Sequence, residues 1–211
     1  MRHELNAALT VKAVTAALIG IAFIVFVGIS YMGEFYHFYQ MTFLSNFLTG
    51  VLMLIAAAVI LLSGRDLPHF LYLDATVLLL MVVCVCSIFA PATTFKPSSL
   101  ALHLIDPLIM LTFYMIFCDA RRSPASVGLS ALVFPTAYYI FMIIYGYYNH
   151  TCVYGCFDTT VMGSWKLLLY GFAAVGVIIL MVYAVMYLNK LLHSFFDRRR
   201  AVRAERSRAD G

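Results

Sequence analysis

Residues 39–62 read YQMTFLSNFLTGVLMLIAAAVILL, a stretch without a single charged side chain. At 1.5 Å per residue a helix of that length is about 36 Å long, enough to cross the roughly 30 Å hydrocarbon core of a bilayer. Five more runs of the same kind follow from the pattern: about Ala13 to Tyr31, Phe70 to Ala90, Ser99 to Cys118, Val127 to Tyr148 and Leu167 to Asn189. Glycine, proline and charge punctuate the gaps, at Gly33-Glu34, Gly64-Arg65-Asp66, Pro91 to Pro97, Asp119 to Pro124 and Asn149 to Ser164. Lipid offers the backbone no hydrogen-bonding partners, so spans of this length are helices. The expected fold is an all-α, polytopic bundle of six transmembrane helices, one domain over residues 1–211 with a basic tail at 194–211.

Composition agrees. Of the 211 residues 64% are apolar and 11% charged, against roughly 45–50% and about 25% in soluble domains; the mean hydropathy is +0.93. A soluble enzyme, a disordered regulator and a secreted disulfide scaffold are excluded. The first run is longer than a cleaved signal's apolar region and no A-x-A site follows it, so it reads as retained.

Twelve of the 14 basic residues fall on one side of this arrangement: Arg2, Lys12, Arg65, Arg121, Arg122, Lys190 and the six arginines from Arg198 to Arg208. Lys96 and Lys166 fall on the other. The positive-inside rule then puts both termini in the cytoplasm. The cationic tail reads most simply as a topology determinant, to which a contact with anionic membrane lipids would add little, rather than as a nucleic-acid surface, which would interleave basic with polar or aromatic readers.

Cys84, Cys86 and Cys118 lie in or at the ends of apolar runs and read as packing residues. Cys152 and Cys156 share the outer fifth loop, where a disulfide across Val153-Tyr154-Gly155 and two free thiols both stay open. No cysteine and histidine spacing matches a metal signature, and the chemistry below needs neither metal nor cofactor.

Function is sought in the polar residues of the helices, because each is costly in lipid. Thr42, Ser45, Asn46 and Thr49 are spaced by 3, 4 and 7 from the first, one face of a helix. Ser99, His103 and Asp106 make a second such stripe in the fourth run. Thr42 and His103 both lie about a turn in from the outer side, so the two stripes can share a cavity in the outer leaflet. Pro107 lacks an N–H and should leave the His103 carbonyl free while bending the helix. These groups fit nucleophilic acyl transfer. Thr42 would attack a carbonyl, His103 would take and return its proton, Asn46 would donate to the oxyanion, and Asp106 would fix the imidazole tautomer. The structural alternatives are that Thr42 bonds its own helix backbone, that Ser45, Asn46 and Thr49 bridge helices, and that Asp106 is a protonated or paired acid. Asp74 reads as structural; Tyr145, Tyr147, Tyr148 and Trp165 read as an interfacial aromatic belt.

Thr42-Phe43-Leu44-Ser45-Asn46 together with His103-Leu-Ile-Asp-Pro107 resembles the paired signatures of the androgen-induced-gene family. These are multipass intramembrane threonine hydrolases of fatty acid esters of hydroxy fatty acids (FAHFAs), with six-pass bacterial relatives. The likeness to the bacterial branch continues through Pro135, Tyr138, Tyr139, Gly146 and the loop from Tyr154 to Phe157-Asp158, covering about residues 38–190. It implies a lipid or fatty-acid ester substrate, a Thr42 nucleophile and a His103 partner, with Tyr154 and Asp158 near the cavity mouth, and a location in the plasma membrane of a bacterium. Asp106, Cys152 and Cys156 depart from the family pattern. A lipid acyltransferase, or a lipid-binding or transport protein that does no chemistry, is the other class compatible with such a cavity.

Overall fold

The computed structural model describes residues 6–32, 38–89, 100–149 and 163–209. All regular structure among them is helical. Helix α1 spans Ala7–Ser30 and α2 Met41–Ser63. Helix α3 spans His69–Phe89, α4 Asp106–Phe117, α5 Val133–Asn149 and α6 Ser164–Ala209. Five helical stretches are long and apolar enough to cross a membrane, and Ala101–Phe117 is a shorter apolar one. Large apolar side chains such as Phe172 (74% exposed) and Leu180 (71%) point outward, as they do where lipid rather than water is the surrounding medium. The architecture is that of an integral multipass membrane protein.

Local signals start and stop the helices. Asn6 caps α1 by accepting the Ala8 N–H at 3.1 Å. Gly64 ends α2 in the left-handed conformation (φ 65°), its N–H donating to the Ile60 carbonyl at 2.9 Å. Along α1 the buried residues Ala13, Ala16, Gly20, Phe23 and Val27 recur at helical spacing and pack on α2. The two backbones come so close that a Cβ on Gly20 would sit 2.8 Å from the Gly50 carbonyl oxygen, the close approach small residues allow in membranes. Helix α3 lies centrally against α2, α4 and α6. Tyr72, Leu73 and Leu79 pack there with Met110, Phe113, Tyr114, Ile178 and Val182.

Three boundaries differ from the sequence reading. The fourth run is not one α-helix: Ala101–Ile105 forms a π-turn that leads into α4. The fifth begins as a 3-10 helix, Ala125–Leu132, before α5. The sixth does not stop at Asn189; α6 continues through the arginine-rich tail to Ala209. At 46 residues it is about 69 Å long, far more than a bilayer needs. Arginine, alanine and glutamate are good helix formers, and the sequence from Val177 to Ala209 contains neither glycine nor proline to interrupt them. The Arg199 guanidinium also lies 4.4 Å from the centre of the Phe195 ring.

At the end of the bundle where α1 starts, Lys12 is buried and pairs with Asp66 at 2.6 Å. It also donates to the Phe117 carbonyl at 3.1 Å and stands 4.3 Å over the Tyr72 ring. Asn189 of α6 donates to the carbonyls of Tyr114 and Cys118 at the end of α4 and accepts the Ala120 N–H. The Tyr114 carbonyl also accepts the Cys118 N–H at 3.1 Å, and Lys12 meets the Phe117 carbonyl at the helix end, where carbonyls lack intrahelical donors.

Candidate functional site

Thr42 is the second residue of α2, and its hydroxyl oxygen lies 3.2 Å from His103 Nε2. Thr42 is 5% exposed. His103 occupies the middle of the π-turn, and the physical cause of that turn is Pro107. In an unbroken α-helix the Pro107 N–H would serve the His103 carbonyl; proline has none. The backbone responds by widening. The Asp106 N–H donates to Ala101, five residues back, which leaves the Leu102 carbonyl facing Pro107 in the i→i+5 register. The acceptor that the π register frees is that of Leu102, one residue before the His103 carbonyl to which α-helical spacing alone points. Asn46 fills it: Nδ2 donates to the Leu102 carbonyl at 3.3 Å and to the Thr42 carbonyl at 2.8 Å.

This geometry corrects the role expected of Asn46. An amide nitrogen has two protons, and both point at carbonyl oxygens, so Asn46 has none left for an oxyanion. Ser45 Oγ likewise donates to the Thr42 carbonyl, at 3.2 Å. Asp106 is fully buried, but neither carboxyl oxygen hydrogen-bonds to His103 or to any other described residue; the arrangement of a triad acid is not formed. Thr49 is buried as well, its hydroxyl without a partner among the described residues.

None of Ser45, Asn46, Thr49 and Asp106 lines the cavity next to Thr42. That cavity, about 250 Å³, lies between α2, α3, α5 and α6. Thr42 forms part of its wall with Cys86, Met81, Tyr138, Tyr139 and Phe172, and none of the lining residues carries a formal charge. Cys86, read from the sequence as packing, has its sulfur 4.0 Å from the Thr42 hydroxyl. Its position one helical turn beyond Val82 of the lining face is visible only once α3 is oriented. Tyr138 donates to the Tyr39 carbonyl at 3.1 Å, pinning the segment just before α2, and Tyr139 donates to the Leu167 carbonyl.

The start of α2 also supplies backbone donors. Its first intrahelical bond runs from the Leu44 N–H to the Gln40 carbonyl, and Gln40 provides no side-chain cap. The Thr42 and Phe43 N–H groups therefore have no acceptor within their helix, at the end where the helix dipole is positive. Tyr154, Asp158, Cys152 and Cys156 lie outside the described residues. Among the described residues no group of three or more His, Cys, Asp or Glu could hold a metal ion. Asp74 accepts a hydrogen bond from Ser130 at 2.7 Å.

Comparison with family models, curated proteins and solved structures finds no match to this chain.

Proposed function

We propose that the protein is an intramembrane lipid esterase in which Thr42 is the nucleophile and His103 the general base. The observation that carries the reading is the 3.2 Å approach of Thr42 Oγ1 to His103 Nε2 beside an apolar cavity. A hydroxyl is a weak nucleophile until a base within about 2.6–3.2 Å can take its proton. With the imidazole proton on Nδ1, Nε2 presents its lone pair to that hydroxyl. The Thr42 oxygen would add to an ester carbonyl, and His103 would pass the proton to the departing alkoxide. Water activated by the same nitrogen would then release the carboxylic acid and regenerate Thr42. The oxyanion would be met by the N–H groups of Thr42 and Phe43 at the start of α2, in place of Asn46. The uncharged cavity suits one hydrocarbon chain of a fatty-acyl ester, a substrate of the FAHFA type.

In this reading the bundle crosses a bacterial plasma membrane six times with both termini cytoplasmic, and the reacting pair opens toward the outer leaflet. Transfer of the acyl group to a lipid hydroxyl instead of water is a variant of the same chemistry.

The test is covalent labelling by a fluorophosphonate probe in detergent-solubilised protein. Wild type should label, and Thr42→Ala and His103→Ala should label at least about 100-fold more slowly, all with unchanged melting temperature. Equal labelling of the three would leave the cavity as a lipid-holding pocket without catalysis.

A further inference from the structure

Four buried oxygen atoms on α2 and α4 have no hydrogen-bonding partner among the described residues: both carboxyl oxygens of Asp106, Asn46 Oδ1 and Thr49 Oγ1. Asp106 and Asn46 are 0% exposed and Thr49 is 2% exposed. Buried polar atoms in native proteins are nearly always paired, and each exception asks for a cause.

The hydrogen bond from Asn46 to the Leu102 carbonyl sets the level of one helix against the other. Both helices run in the same direction from that point. Thr49 lies three residues further along α2, about 4.5 Å, and Asp106 four residues beyond Leu102, about 6 Å. The two are thus within about 1.5 Å of the same depth, and complete burial turns both toward the bundle interior. Donors are scarce there: both Asn46 amide protons are engaged by carbonyls, His103 Nδ1 hydrogen-bonds to neither Asp106 oxygen, and the Thr49 hydroxyl is the one donor these three residues themselves have to offer. Such a set of oxygens suits a positively charged guest. Oxygen-only ligands select a hard cation, and one carboxylate neutralises one unit of charge; a divalent ion would leave an uncompensated charge in a low-dielectric interior.

We propose that Asp106, with Thr49 and Asn46, forms an intramembrane binding site for a single sodium ion, placed directly beneath the π-turn that carries His103. Discontinuities in transmembrane helices are where membrane proteins hold ions of this kind. The site does not use the Thr42 hydroxyl, so it stands or falls separately from the esterase reading.

The experiment is equilibrium binding of radioactive sodium to the full-length protein in detergent, at constant ionic strength set with choline chloride, with thermal unfolding in parallel. Wild type should bind about one sodium per chain, displaced by unlabelled sodium chloride, and should melt several degrees higher in sodium than in choline. Asp106→Asn, which preserves shape, should lose both effects. Thr49→Val should weaken binding at least tenfold while folding normally, which covers the case that Asp106→Asn folds poorly. Absence of bound sodium in wild type, together with equal melting in the two salts, would overturn the proposal and leave Asp106 a protonated acid.

Discussion

The Leu102 carbonyl offers a way to test the local structure without reference to any substrate. In the native protein it is deprived of a backbone donor by Pro107 and is served by Asn46 at 3.3 Å. Asn46→Leu removes that donor and leaves a buried acceptor unpaired, a loss of about 1–3 kcal/mol. The Thr42 carbonyl suffers less because Ser45 Oγ still reaches it at 3.2 Å. Hydrogen bonds between membrane helices average only about 0.6 kcal/mol, with a maximum near 1.7, so a net cost of about 1–2 kcal/mol is expected. Pro107→Ala changes the problem. The substitution restores a backbone N–H at this position, which serves Leu102 in the π register; if the segment reverts to α, the Asp106 N–H serves Leu102 and the restored N–H serves His103. In either case the orphan disappears, and Asn46→Leu in the Pro107→Ala background should cost at least about 1 kcal/mol less than in wild type. Thermal unfolding of the four proteins in one detergent measures the cycle, with about 2–4 °C expected per kcal/mol at this size. Fluorophosphonate labelling adds a second readout for the proposed esterase, because reversion to α would rotate His103 away from Thr42 and slow labelling even where stability recovers. Strict additivity, with coupling below about 0.5 kcal/mol, would refute the assignment of Leu102 as the shared acceptor.

Other expectations follow from the opposite end of the bundle. Lys12 is enclosed while the Asp66 side chain is 36% exposed, so the partners of this pair are not equivalent. Asp66→Asn strands a buried cation and should destabilise by about 3 kcal/mol; Lys12→Met leaves a carboxylate that water and the Tyr72 hydroxyl can solvate and should cost less in the same unfolding assay, the reverse order contradicting the burial argument. The Arg121 side chain beside Asp119 holds that carboxyl at about 2, below its usual value. The folded-state value is depressed, so the pair's contribution is present above about pH 4, the unfolded value, and is lost as pH falls through about 2. It is a small effect on an exposed pair; Arg121→Gln should flatten the acid limb of the melting curve, and an unchanged limb would count against it.

Much of the fold was legible in the sequence because lipid imposes simple rules. Length and apolarity locate helices without tertiary information, and the spacing of Thr42, Ser45, Asn46 and Thr49 was enough to define the face of α2 that is buried. The π-turn was half legible: Pro107 announced a freed carbonyl, but which carbonyl depends on whether the preceding turn stays α or widens, and spacing within one segment does not tell the two apart. The cavity was not legible, since Cys86, Tyr138 and Phe172 come from three helices and no periodicity within one segment relates them. Lys12 looked like one more flanking charge; only the approach of Asp66, 54 residues away, makes it a buried ion.

The two short sequence signatures form one structural unit. Pro107 widens the turn before it and frees Leu102, and Asn46 answers that acceptor across the helix interface. Once this bond is made, the positions of two other residues are no longer independent. Thr42 lies four residues before Asn46, on the same face of α2, and His103 is the residue after Leu102. Their 3.2 Å approach follows from the register that the Asn46 to Leu102 bond imposes. The residues that look from the sequence like parts of one active site thus have separate roles. Pro107 and Asn46 set the alignment, Ser45 ties down the turn, and Thr42 and His103 are brought within reach of each other. A substitution in the aligning pair should therefore slow fluorophosphonate labelling without touching Thr42 or His103, whereas Thr42→Ser, which keeps both the alignment and the hydroxyl, should retain measurable labelling.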